Sequence, residues 1–259
     1  MRIGLKRAMT GFMRTLRVDK IRTVLFRTWI IASILLISQG CGQQDDTASS
    51  GSESIKNFTY LALGDSYTIG ESVPEEERWP VQLYDSLRSQ EIHITNPTIL
   101  ARTGWTTTDL KSSLSSVRFG APYDIVSLLI GVNNQFRAYD IEIYKTEFRE
   151  LVNSSIGLAG GIPENVFVLS IPDYSVTPVA ILHGLDHETI SSEIDQYNEI
   201  ARVICNEYGV KFFDITEFTR EVGDNQSYIA SDGLHPSGKM YKNWVDTCYD
   251  WVYDNLATR

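Results

Sequence analysis

The 259 residues are 42% hydrophobic and 22% charged, an ordinary globular composition with enough apolar side chains for one domain with a substantial core. It is neither a disordered chain nor a repeat array. The formal net charge of −10 excludes nucleic acid and anionic membrane surfaces as partners, because phosphate would repel a protein of this sign.

Residues 1–40 differ sharply from the remainder. Arg2, Lys6, Arg7, Arg14, Arg17, Lys20, Arg22 and Arg27 oppose only Asp19, and the apolar run 29–37 follows, which is the layout of an export signal. The run is about half the ~20 residues that a membrane-spanning helix needs. Ser38-Gln39-Gly40-Cys41 then leads into the polar stretch 42–56, GQQDDTASSGSESIK, which has nothing to bury. This junction resembles a bacterial lipoprotein signal, in which Cys41 becomes the lipidated N-terminus; that family usually has Leu and a small residue where Ser38 and Gln39 stand. Ordinary cleavage after Gly40 also fits, since Ser38 and Gly40 are small at the two positions that a signal peptidase inspects. The expectation is an export signal over 1–40, a flexible linker over 41–56 and a folded domain over 57–259. The protein would be anchored in a bacterial envelope through a lipid at Cys41, or else secreted or periplasmic. Without its first 40 residues the chain keeps 15 Lys and Arg against 32 Asp and Glu, so a lipid at Cys41 is the one route to a membrane.

From residue 58 onward, short runs rich in β-branched and aromatic residues alternate with longer stretches of helical period. Strands are predicted at 58–63, 92–100, 125–130, 166–171 and 210–215. Helices are predicted at 79–89, 107–116, 141–158 and 194–208, with a final helix at the C-terminus. In the 194–208 segment Tyr197, Ile200, Ala201 and Ile204 share one helical face, and Ser192-x-x-Asp195 reads as a capping box at its start. Repeated strand–helix alternation implies a three-layer α/β/α sandwich around a mostly parallel five-stranded sheet. Ligands bind such sheets outside the carboxyl ends of the strands, so the residues that follow each run are the ones to inspect.

After the first run comes Gly64-Asp65-Ser66, after the second Arg102-Thr103-Gly104-Trp105, and after the third Gly131-Val132-Asn133-Asn134. Beyond the fifth comes Ser231-Asp232-Gly233-Leu234-His235-Pro236. These are the parts of an acyl-transfer site, which needs a nucleophile, a base, a group that fixes the base, and donors for the developing oxyanion. Ser66 supplies the nucleophile and His235 the base. Asp232, three residues earlier, can reach the imidazole through a single turn at Gly233 and hold its tautomer. The oxyanion donors are the amides of Ser66 and Gly104 and the side-chain NH₂ of Asn133. Pro236 is placed in the first turn of the closing helix, where it biases His235 towards an extended backbone. This chemistry needs no cofactor and no metal.

These blocks resemble those of the SGNH (GDSL) hydrolase family, whose four name-giving residues fall on Ser66, Gly104, Asn133 and His235, with Asp232 as the acid of its D-x-x-H element. The resemblance covers 57–257 and implies a flavodoxin-like SGNH hydrolase domain. It implies an esterase, lysophospholipase, thioesterase or carbohydrate O-acetylesterase, acting on a small-molecule, lipid or carbohydrate ester. The chain departs from the family at Asn134, where aspartate is usual; the donor Asn133 is intact. Asp65 is read as structural, anchoring neighbouring loops. Thr68 stands where the second glycine of a G-x-S-x-G elbow would be, which argues against the α/β-hydrolase fold.

The remaining polar and aromatic residues are assigned as follows. His183 and His187, in HGLDH, are placed in a solvated loop over the site rather than in a metal pair with Asp186, for want of a third ligand. His93 is placed within the second strand as a structural residue. Trp79, with Pro80 and Leu83, reads as helix packing, whereas Trp105 at the site rim is a candidate contact for the acyl or alcohol group. Cys205 and Cys248 fall in predicted helices and read as two buried free thiols or, in an exported protein, as a pair. A non-catalytic surface binding protein on the same fold is the alternative function, and the intact set of five residues argues against it.

Overall fold

The computed structural model describes residues 57–120, 122–222 and 225–259; the predicted export signal, Cys41 and the linker lie outside them. Five parallel strands, β1 (Tyr60–Gly64), β2 (Thr98–Ala101), β3 (Ile125–Leu129), β4 (Val166–Leu169) and β5 (Lys211–Phe213), pair in the order β2-β1-β3-β4-β5. Every residue of β1, β3 and β4 is buried. Helices cover both faces of these strands, which is why they read as unbroken apolar runs without alternation. The edge strands β2 and β5 carry an exposed residue each.

The helices are α1 (Ser66–Ile69), α2 (Trp79–Ser89), α3 (Thr107–Ser116), α4 (Val132–Phe136), α5 (Ile141–Leu158), α6 (Pro178–Leu182), α7 (His187–Tyr208), α8 (Thr216–Val222) and α9 (Gly238–Ala257). α2 and α9 pack together on one face, where Phe167 of β4 meets Trp79 and Trp251 at ring-centroid distances of 6.2 and 6.0 Å. Trp79 is therefore packing, as its sequence context predicts. α3, α5 and α7 form the other layer. The sandwich and the 2-1-3-4-5 strand order are those of a flavodoxin-like sheet.

Register positions the site. Gly64 at the end of β1 lies level with Ala101 of β2 and Leu129 of β3. The three chains leave the sheet side by side, with β1 in the middle. Whatever follows β2 and β3 must flank whatever follows β1.

Several boundaries differ from the sequence reading. The predicted strand over 92–100 is a strand only at Thr98–Ala101; Ile94 makes an isolated bridge to Phe58, and Asn96-Pro97 separates the two because Pro97 has no N–H to give a ladder. His93 thus lies outside the strand. The helix predicted from 194 begins at His187, and its cap is Asp186, which accepts the Thr189 amide at 3.2 Å. Ser192 and Asp195 are interior to it and form no capping box. Pro236 precedes α9 instead of opening it: Ser237 is the cap, and Pro236 sits in an antiparallel bridge with Ile229. The short α1, α4, α6 and α8 escaped prediction because four to seven residues are too few for a period to register. Cys205 and Cys248 are free and buried on α7 and α9, helices on opposite faces of the sheet, and burial pushes both thiols up to about 12.

Candidate active site

Between β1 and α1 the chain turns sharply. A Cβ at Gly64 would stand 2.1 Å from Thr68 Oγ1 and 2.5 Å from the Leu129 carbonyl, so no other residue fits there. Asp65 caps α1, accepting the Tyr67 amide at 3.0 Å, and Ser66 is the first helical residue, 4% exposed. Asp65 thus anchors its own helix; its second oxygen, Oδ2, is buried without a partner. Burial pushes its carboxyl up to about 7, against the pull of the Tyr67 amide. Gly70 ends α1 at φ 70°, and the Glu71 amide returns to the Ser66 carbonyl at 3.0 Å.

On one side of Ser66 stand the loop after β2 and the turn into α4. Gly104 adopts φ 83°, and its carbonyl accepts the Arg137 guanidinium at 2.5 Å. Asn133, in the first turn of α4, donates one Nδ2 proton to the Trp105 carbonyl at 2.9 Å. That bond fixes the plane of the amide, and the same side chain also pulls the Asp65 carboxyl down against the effect of burial. Trp105 contributes its backbone carbonyl here, and its half-buried ring packs against the core on one side.

Asn134 is fully buried, and its surroundings account for the departure noted in the sequence. Its Oδ1 accepts the Thr107 amide at 3.0 Å and its Nδ2 donates to Thr107 Oγ1 at 2.7 Å, while that hydroxyl donates to Glu147 at 2.6 Å. The Thr107 proton is committed to Glu147. An amide at 134 can donate into the hydroxyl; a carboxylate there could not.

On the other side, the turn Asp232–His235 is built around one carboxylate. Asp232 Oδ1 accepts the amides of Leu234 and His235, each at 2.9 Å, and Oδ2 accepts His235 Nδ1 at 2.6 Å and the Ser72 hydroxyl at 2.7 Å. An ionised carboxylate only accepts, so the ring proton is assigned to Nδ1 and Nε2 keeps a free lone pair. Burial alone would raise the Asp232 carboxyl, but the His235 side chain and amide and the Leu234 amide hold it well below the usual carboxylate range. Gly233 takes φ 74° to close the turn, and its carbonyl accepts the Val179 amide of α6 at 3.0 Å. The His235 ring meets Tyr67, the neighbour of Ser66, edge to face at 5.8 Å between centroids.

The structure therefore groups the predicted residues in two halves. Asn133 is bonded to Trp105 and, through Arg137, to Gly104, Asp232 is bonded to His235, and Tyr67 links the second half to the nucleophile's helix. No hydrogen bond joins Ser66 Oγ to His235 among the described residues. His183 and His187 are not part of the group. His187 is the first residue of α7 rather than a loop residue, and its Nδ1 lies 2.7 Å from Ser175 Oγ, in a network with Asp173. Among the described residues no cluster of His, Cys, Asp and Glu is arranged to hold a metal. The sequence reading missed Ser72 and Arg137. Arg137 had a signal, since it lies four residues beyond Asn133 on a helical turn; Ser72 had none.

Residues 62–242 match the model of the GDSL-like lipase/acylhydrolase family. No curated protein matches the chain by sequence. Among solved structures, it is similar to a variant of Axe2, an acetyl xylan esterase from Geobacillus stearothermophilus, with 21% identity and a TM-score of 0.59 over 75% of this chain and 94% of that one. It is also similar to the psychrotrophic esterase EstA from Pseudoalteromonas, at 17% identity and a TM-score of 0.58 over 78% and 100% of the two chains. A G-D-S-L lipolytic protein from Veillonella parvula gives 16% and 0.55 over 74% and 97%.

Proposed function

Because the chain belongs to the GDSL-like lipase/acylhydrolase family, we propose that it is a serine hydrolase that cleaves carboxylic esters through an acyl-enzyme. Ser66 Oγ attacks the ester carbonyl carbon while His235 Nε2 takes its proton. The carbonyl electron pair moves onto oxygen, where the amides of Ser66 and Gly104 and the side-chain NH₂ of Asn133 receive it. The intermediate collapses by expelling the alkoxide, which takes the proton back from His235. Water then repeats the sequence on the acyl-enzyme, releasing the acid and restoring Ser66. Asp232 keeps the Nδ1 proton in place and stabilises the imidazolium at each transfer.

The observation that carries this reading is the 2.6 Å bond from His235 Nδ1 to Asp232, which in the neutral ring places the proton on Nδ1 and makes Nε2 the acceptor, on a ring in contact with the residue next to Ser66. Short-chain esters, lysophospholipids and O-acetylated carbohydrates are the substrate classes in view, with the Trp105 rim as the contact for acyl or alcohol.

A fluorophosphonate probe should label the wild-type protein at Ser66. Ser66→Ala should lose both labelling and nitrophenyl acetate hydrolysis while keeping its circular dichroism spectrum. A folded Ser66→Ala protein that retained most of its turnover would sink the serine mechanism.

A further inference from the structure

We infer that Glu71-Ser72 is a clasp that positions the Asp232–His235 pair against the nucleophile, with Ser72 as the positioning residue; this rests on the serine-hydrolase reading above. The two residues leave α1 directly and reach both halves of the site. The Glu71 amide is bonded to the carbonyl of Ser66 itself at 3.0 Å. The Glu71 carboxylate accepts a hydrogen bond from Thr103 Oγ1, one residue before Gly104. The Ser72 hydroxyl donates to Asp232 Oδ2 at 2.7 Å, the same oxygen that holds His235 Nδ1. The nucleophile's helix and two segments remote in sequence, at Thr103 and Asp232, are thus tied to one short turn.

The backbone marks this turn as constrained. Ser72 has φ 66°, in the left-handed region that glycine enters freely and serine uncommonly. A glycine would relax the backbone and lose the hydroxyl. Serine keeps a donor on Asp232 at the cost of some backbone strain, the kind of outlier from which a functional role is argued.

The hydroxyl orients the carboxylate, because Oδ2 is held from two directions, by Ser72 Oγ and by His235 Nδ1. Without Ser72 Oγ, Oδ2 is held by the ring alone, and the Asp232–His235 pair loses this hydrogen-bonded tie to the nucleophile's helix.

The test compares Ser72→Ala with Ser72→Gly. Both remove the hydroxyl, but only glycine relaxes the backbone. Ser72 is exposed, so both variants should fold, and a thermal melt of each checks this. With nitrophenyl acetate, both should lower kcat about five- to tenfold with KM changed less than about twofold. A Ser72→Gly protein with wild-type kcat overturns the clasp and leaves only a backbone effect. Fluorophosphonate labelling separates the two layers of inference. Labelled variants with unchanged kinetics overturn the clasp alone, whereas a wild-type protein that resists the probe overturns the hydrolase reading and the clasp with it.

Discussion

Asp65 and Asp232 are both largely shielded from water at the carboxyl edge of the sheet, yet they ionise in opposite senses. Asp65 has Oδ1 on the Tyr67 amide and Oδ2 without a hydrogen-bond partner, with a further pull from the Asn133 side chain, and burial pushes its carboxyl up to about 7. Asp232 places its two oxygens on four donors and is held well below the ordinary range. Burial raises both; the donors decide which effect wins. The buried Tyr241 hydroxyl, also without a partner, is held well above its usual range by burial and then by the charges of Asp65 and Asp232. The carboxylate that is proposed to work in catalysis is the satisfied one. The unsatisfied one sits beside the nucleophile and makes folding pH-dependent.

The largest break in this comparison is Asp232→Asn. The amide cannot hold Nδ1–H as an anion does, and the ring can turn to the wrong tautomer. Steady-state kinetics should show kcat lower by about 10³ to 10⁴ with the fold retained. A loss below tenfold would remove Asp232 from the mechanism.

Asp65→Asn should act on stability with the opposite sign. An unfolded aspartate ionises near pH 3.9, whereas the folded Asp65 keeps its proton until about 7. The folded state is therefore favoured fully below about pH 4, and it loses that stability as pH rises through about 7. Asparagine caps the helix without ever charging. Urea unfolding should show it more stable than wild type by about 2 to 4 kcal/mol at pH 8 and by less at pH 5. The same gain at both pH values would mean that ionisation is not the cause.

Asn134→Asp transplants the condition of Asp65 to another buried position. The Thr107 hydroxyl has one proton for two carboxylates, so the variant should lose about 1 to 3 kcal/mol while kcat stays within about tenfold. Glu147→Gln in the same chain should restore most of the loss, because a glutamine can donate where the glutamate could only accept. A double-mutant cycle measures this, and purely additive effects would contradict the Asn134–Thr107–Glu147 chain.

The sequence showed the sheet because β1, β3 and β4 are buried on both faces and so carry unbroken apolar runs. Ser66, Gly104, Asn133 and the Asp232–His235 pair were visible because each lies within a few residues of a strand end or of its own partner. Ser72 finds its partner 160 residues away, and nothing in its neighbours announces it; Arg137 reaches Gly104 across 33 residues, and only its place four residues beyond Asn133 hinted at it. The meaning of Asn134 was likewise hidden in Glu147, on a different helix. The start of α7 was set too late because its first turn is polar and faces water; burial begins at Ile190. Pro236 was given a helical role that Ser237 performs, since a proline one residue before a cap and a proline in the first turn look alike in sequence.

The place of β1 as the first strand in the chain, paired between β2 and β3, has a consequence for the order in which the molecule becomes competent. Its nucleophile is laid down first, the flanking donors at Gly104 and Asn133 next, and the base only at residue 235, on the segment that α9 seats against α2. On the proposed assignment, a chain folded only as far as β5 would hold a serine and an oxyanion hole with nothing to take the proton. Hydrolytic activity would then report the docking of the last helix rather than the formation of the sheet, and the nucleophile would stay inert until the whole sandwich has closed.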